Sequence, residues 1–232
     1  MHRSLFIIIT IVVSITASAT AIALESTCFG TVANGHLENG VKLPSNGNNF
    51  KAYSSLGVSL GRTYVHSKVE EIVVAAYSAL EKSASEKVFI YGETGWSDGG
   101  RIRPHKTHKN GLSVDFIVPV TDSTGRSVYL QTGVSNKFGY NIDFDANAKF
   151  EGYTIDFEAI AEHLYQLNVE AKAHGAGIAL VILDPPYYPK LFATKRGQYL
   201  KDNINFMKGK AWIRHDEHYH VDFSVPCKPN KG

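Results

Sequence analysis

Polar and apolar residues alternate strictly from His218 to Phe223, with His218, His220 and Asp222 set against Tyr219, Val221 and Phe223. Among regular backbone structures only a β-strand has a side-chain period of two, so the two histidines and the aspartate share one face. The other face is apolar and must be covered by a core. A second segment behaves alike: from Leu112 to Val120, Leu112, Val114, Phe116 and Val118 fall on one face and Ser113 and Asp115 on the other. Two strands with one polar, chemistry-bearing face each constrain this chain more than any other feature.

The remaining elements follow from caps and breakers. Ser67-Lys68-Val69-Glu70 matches a capping box and predicts a helix from Val69 to Leu80. Lys87 to Tyr91 reads as a short strand and Gly92 to Asn110 as a long polar loop. Asp156 caps a predicted helix from Phe157 to Ala173, which carries an apolar stripe and stops at Gly175. Gly177 to Leu183 reads as a buried strand, stopped by Asp184-Pro185-Pro186, with a short helix from Tyr188 to Ala193 beyond. Residues 29–50 read as an ordered N-terminal wrap and residues 121–153 as a long irregular loop. The expected class is α+β, with a largely antiparallel central sheet flanked by helices and long loops.

Three of the ten histidines lie within residues 215–220, and His105 and His108 form a second group ahead of Asp115. With His108 reaching in from the loop, Asp115 and His220 project from the polar faces of their strands. Two imidazoles and one carboxylate match a catalytic zinc site holding one ion, with the fourth position open to water. Zinc lowers the pKa of such a water to about 7. His218, on the same face as His220, is the expected general base. His105 and His215 are expected to stabilise the transition state, orient ligands or touch substrate. The plain alternatives are solvated loop histidines, or a closed structural zinc site in a non-catalytic module, with His105 or His215 as fourth ligand.

The N-terminus reads as an export signal over residues 1–23: a basic His2-Arg3, an apolar Leu5 to Val13, then small residues through Ala23. An uncleaved anchor is the alternative, but the apolar run is shorter than the roughly 20 residues of a spanning helix. Residues 24–232 are long enough for one domain, and a secreted or periplasmic protein is expected. The net charge of +2 is too small to point to nucleic acid. In an oxidising compartment Cys28 and Cys227 could close one disulfide around almost the whole chain. Arg101, Arg103, Lys106, Lys109 and Arg214 cluster near the motifs and could attract substrate carboxylates. Oligomeric state is not legible.

His108 to Asp115 meets the pattern H-x(6)-D, and His218-Tyr219-His220 meets H-x-H. Gly99-Gly100-Arg101 with Pro104 to Asp115, and Lys210-Ala211-Trp212-Ile213-Arg214-His215 to Val221, extend these into longer strings. On these segments the chain resembles the penicillin-insensitive murein endopeptidases, within a wider group that includes lysostaphin-like and D-Ala-D-Ala-cleaving enzymes. Asn34-Gly35, Leu43-Pro44, Arg62 to His66 and Asp184-Pro185 fit the resemblance, which spans nearly all of the mature chain. It implies hydrolysis of the bond between D-alanine and the diamino acid of a neighbouring stem peptide, without a nucleophilic serine. It carries His108, Asp115 and His220 over as zinc ligands, His218 as the base, and His105 and His215 as further active-site histidines. Family members can carry an additional D-x-x-H pair between the motifs; residues 143–153 here contain no histidine. The cysteine-rich C-terminal extension of some relatives is also absent. A D,D- or L,D-carboxypeptidase on stem peptides would use the same metal site.

Overall fold

The structure, a computed structural model, describes residues 24–230 apart from Lys210 and Trp212. The predicted signal over residues 1–23 therefore lies outside the described residues. A five-stranded sheet forms the middle of the molecule. In spatial order its strands are Gly177–Ile182, His218–Ser224, Ser113–Ile117, Phe89–Tyr91 and Phe50–Ala52. Only the last pair is parallel. The α+β, antiparallel-rich expectation is met.

The two alternating segments lie side by side at the centre, as an aspartate strand (Ser113–Ile117) and a histidine strand (His218–Ser224). Their register sets His220 opposite Asp115, Asp222 opposite Ser113 and Tyr219 opposite Phe116. The apolar faces are packed as the alternation demands: Val114, Phe116, Tyr219 and Val221 are fully buried. The polar face is buried as well, so both faces of the aspartate strand are covered.

Two seventeen-residue helices, Ser67–Ser83 and Phe157–Ala173, pack together over the apolar face. The second has the predicted bounds, with the Asp156 carboxylate accepting from the Ala159 N–H at 3.0 Å. The first starts earlier than its capping box suggests. His66 is the N-cap and its Nδ1 accepts from the Lys68 N–H. Ser67 is thereby freed to bond the N-terminal segment through reciprocal contacts with Ser26.

Two expectations need correction. Gly177–Ile182 is an edge strand with only Val181 buried, because its outer neighbour is the loop at Asn205 to Met207 rather than another strand. Residues 121–153 are not one irregular loop. They hold short strands that build a four-stranded sheet in the order Lys149–Phe150, Tyr153–Ile155, Val120–Thr121, Ser127–Val128. Strands this short leave too few residues for a period to show. Within the expected N-terminal wrap lies a hairpin, Thr27–Thr31 with Asn34–Glu38. A Cys28–Cys227 disulfide ties its first strand to the C-terminal segment, with Cα atoms 4.8 Å apart.

The hairpin matters for the loop that carries His105 and His108. The Lys109 N–H bonds the Val32 carbonyl and its ammonium bonds the Ala33 carbonyl. Gly111 sits at φ +77°, and a Cβ there would stand 2.8 Å from the His66 nitrogen. No side chain fits, so the turn between His108 and the aspartate strand requires glycine.

Candidate metal centre and active site

His108 is fully buried and its backbone is left-handed, with φ 65°. A bulky residue in that region is strained and persists only where its surroundings dictate it. Here the ring is fixed by its Nδ1–H, which donates to the Thr94 carbonyl at 2.8 Å. That bond leaves the Nε2 lone pair pointing away, 3.2 Å from Asp115 Oδ1. His108 Nε2 and Asp115 Oδ2 are both buried and have no hydrogen-bond partner. Two such orphans facing one point would be costly without a cation between them.

His220 reaches the same carboxylate from the opposite strand, its Nδ1 2.8 Å from Asp115 Oδ1. Its Nε2 lies 2.7 Å from Asp222 Oδ1, which also accepts from the Ser113 hydroxyl. An ionised Asp222 takes the Nε2–H, so Nδ1 is the nitrogen free to bind. The ligand sites of a tetrahedral zinc lie roughly 3.3 Å apart, given bonds of about 2.0–2.1 Å. The 3.2 Å between His108 Nε2 and Asp115 Oδ1 is close to that spacing, whereas His220 Nδ1, at 2.8 Å, stands at hydrogen-bond distance from the same oxygen. His105, His108 and Asp115 also offer ligand atoms that all lie within 4.8 Å of one another and could hold a metal ion.

Charge in the cluster is tightly balanced. Burial opposes ionisation of Asp115, but the imidazoles, His108 and His218 foremost, hold its carboxyl well below the usual range. Burial also opposes a charge on His220, yet Asp222 and Asp115 on either side push it up to about 10 in the absence of a cation. Burial dominates at His108 and lowers it. The pocket thus favours a positive species beside Asp115.

His218 points to the same place. Its Nδ1 lies 2.8 Å from Glu217 Oε1, which leaves Nε2 facing Asp115 Oδ1 at 4.0 Å. His215 stacks obliquely on His218 with ring centres 4.6 Å apart, and its Nδ1–H donates to the Ile213 carbonyl. Burial and the neighbouring His218 push His215 down to about 4, so it is neutral at ordinary pH. His105, His108 and Asp115 thus form the group able to hold a metal, His220 and His218 approach Asp115, and His215 adjoins them through its contact with His218.

A family model for the penicillin-insensitive murein endopeptidases matches residues 28–231. The chain belongs to that family. It is accordingly a hydrolase acting on peptidoglycan. A comparison with curated proteins finds no match.

The murein endopeptidase site contains residues that no motif announced. Glu93 binds His105, Glu217 binds His218, and the Tyr140 hydroxyl lies 3.1 Å from His105 Nε2. The Tyr140 ring also meets His218 edge-on. Glu217 was within reach of sequence reasoning, since it adjoins the base. Glu93 carried one weak signal, its place between Gly92 and Gly95 just after a strand. Tyr140 carried none. The expected basic cluster is partly neutralised: Arg214 pairs with Asp184 at 3.0 Å and with the buried Asp216 at 3.2 Å. Lys210 and Trp212 of the second motif lie outside the described residues.

The space around the centre is divided. Between Glu93, Asp115, Tyr140 and His218 a crevice of about 10 Å³ remains, room for roughly one water. Two larger clefts lie nearby, one reaching the crevice only through the contact of His215 with His218 and the other sharing Tyr53, Glu93, Phe138 and Tyr140 with it. One, about 630 Å³, is walled by Leu183, Pro185, Ile213, Arg214 and His215. The other, about 350 Å³, is walled by Leu56, Leu60, Arg62, Glu93 and Phe138. Both are mainly apolar. No helix among the described residues is long and apolar enough to cross a membrane.

Proposed function

We propose that this protein is a zinc-dependent endopeptidase that cuts the D-alanyl–diamino acid cross-links of peptidoglycan, with residues 24–232 as its catalytic domain outside the cytoplasm. His108 Nε2, an Asp115 carboxylate oxygen and His220 Nδ1 are the proposed ligands of one ion. The observation that carries this reading is the pair of buried, partnerless atoms, His108 Nε2 and Asp115 Oδ2, beside a His220 already oriented by Asp222. A zinc ion bound there supplies Lewis acidity and a water acidic near neutral pH.

The chain's own groups do the rest. His218 accepts the proton of the attacking water at Nε2, and Glu217 on Nδ1 stabilises the imidazolium that results. His218 then returns that proton to the departing amine. His215, neutral and with its Nδ1–H engaged, lines the larger cleft and contacts substrate there. Tyr140, whose phenol burial keeps far from ionising, offers a neutral donor for charge developing on the carbonyl oxygen. One cleft bordering the crevice at Glu93 and Tyr140 and a second one walled by His215 favour a substrate that extends beyond the scissile bond in more than one direction. A carboxypeptidase substrate ends at the metal and needs one. The Cys28–Cys227 disulfide fits an oxidising compartment.

Digestion of purified cross-linked muropeptides tests the reading. The expected result is loss of dimers and gain of monomers with one zinc per chain, both abolished by chelation. His218→Ala should keep its zinc and lose hydrolysis by about 10²–10⁴-fold. Release of free alanine in place of monomers, or loss of zinc from His218→Ala, would overturn it.

A further inference from the structure

Glu93 stands outside every motif, yet it is buried at the centre of a knot of three side chains that make four contacts to it. Its Oε1 accepts from the Tyr53 hydroxyl at 2.9 Å and from Arg62 Nε at 2.5 Å. Its Oε2 accepts from Arg62 Nη2 at 2.9 Å and faces His105 Nε2 at 2.5 Å. The ring of His105 is thus gripped at one nitrogen. Its other nitrogen, Nδ1, faces Asp115 Oδ2 at 3.6 Å, inside the group of atoms able to hold a metal ion.

We propose that Glu93 is the positioning residue of His105, keeping a hydrogen on Nε2 and turning Nδ1 into the metal centre as the ring's acceptor. The reason is donor arithmetic. An ionised carboxylate only accepts hydrogen bonds, so the His105 nitrogen that faces it, Nε2, carries a hydrogen. Arg62 and Tyr53 bring three donors to Glu93 and hold it charged and in place. Nδ1 then serves as a second acceptor for the attacking water, beside His218. This use of Nδ1 rests on the catalytic reading above; the orientation of the ring does not. Glu93 acts through His105 and does not itself reach the reacting atoms.

Glu93→Gln discriminates. Glutamine has one acceptor oxygen, which Arg62 and Tyr53 claim; its NH₂ must then face His105 and demands a bare Nε2. The hydrogen moves to Nδ1, and the acceptor in the site is lost. Nitrogen NMR of histidine-labelled, zinc-loaded protein reads this directly. The expected result is a His105 Nε2–H form in wild type and in Glu93→Asp, and an Nδ1–H form in Glu93→Gln. With cross-linked muropeptides, Glu93→Gln should lower kcat about 10–100-fold, as loss of an orienting carboxylate does, with KM little changed. In a His105→Ala background the same substitution should add nothing. A wild-type ring with its hydrogen on Nδ1, or losses that multiply in the double variant, would overturn the proposal, the first even if Glu93→Gln fails to fold. If wild-type protein cleaves no muropeptide, the catalytic reading fails while the NMR result still decides the role of Glu93.

Discussion

Asp115 and His220 occupy directly opposed positions on neighbouring antiparallel strands, and their side chains meet at 2.8 Å between Oδ1 and Nδ1. Opposed residues on one face of an antiparallel pair have Cβ atoms about 4.5–5.5 Å apart. The distance between a carboxylate and an imidazole is therefore set by the sheet and not by a mobile loop. The third proposed ligand, His108, comes from a loop, which explains why its backbone is strained and its ring pinned to Thr94. Sites on rigid elements with locked supports hold their geometry best.

Asp222 fixes His220 by accepting its Nε2–H, so its replacement should act on metal binding before it acts on chemistry. Asp222→Asn should weaken zinc affinity by about 10–100-fold, as loss of such a supporting carboxylate typically does. Competition with a chelator of known affinity measures it. At saturating zinc the variant should recover most of its kcat. An unaltered zinc affinity would remove Asp222 from the support of the site.

Glu217 should set the acid limb of the pH profile. Burial opposes a charge on His218, but Glu217 and Asp115 outweigh it and raise the group above its ordinary value. A general base works only when neutral, so activity should rise with pH as His218 loses its proton. Replacing Glu217 by glutamine removes the nearer negative charge. The acid limb of kcat/KM should then move to lower pH relative to wild type, while kcat falls for want of an oriented imidazole. A limb that stays in place would mean that another group controls it.

His163 predicts acid sensitivity of the fold itself. It lies under the histidine strand, sharing a hydrogen bond at Nδ1 with the Tyr219 hydroxyl, with Nε2 buried and partnerless. Burial pushes it down to about 3. The unfolded chain protonates this residue near its ordinary value of about 6.5, the folded chain only near 3. Its contribution is thus fully present above pH ~6.5 and is lost as pH falls toward 3, by up to about 1.4 kcal/mol per pH unit. Urea unfolding between pH 7 and 4 should show this slope. His163→Phe should be less stable at pH 7, because the buried Tyr219 hydroxyl loses its hydrogen-bond partner, yet show a flatter dependence on pH.

How much of this was readable in the sequence follows from where each residue sits. Asp115, His218 and His220 lie in segments whose period of two is visible without any partner, so their shared face was legible. Which residue opposes which was not, because register depends on pairing across 105 positions between Asp115 and His220. Glu93 and Tyr140 come from loops, where no period marks a face and burial is decided by distant packing. The short strands between residues 120 and 155 were hidden for the same reason. The edge position of Gly177–Ile182 was hidden too, since an apolar run reads alike whether one or both sides are covered.

The Cys28–Cys227 bond should govern stability and leave the chemistry alone. It joins residues 199 apart in sequence, so opening it frees almost the whole chain in the unfolded state. On the chain-entropy account that is worth about 5 kcal/mol, an upper figure because unfolded chains retain structure. Hydrogen bonds from Gly30 and Lys228 hold the two ends together without it, and the hairpin keeps its contacts to Lys109. The double variant Cys28→Ser, Cys227→Ser should therefore unfold at markedly lower temperature and urea concentration. Well below its melting temperature it should keep one zinc per chain and a kcat close to wild type. A variant of unchanged stability but greatly reduced kcat would show that the bond acts through the Lys109 loop on His105 and His108.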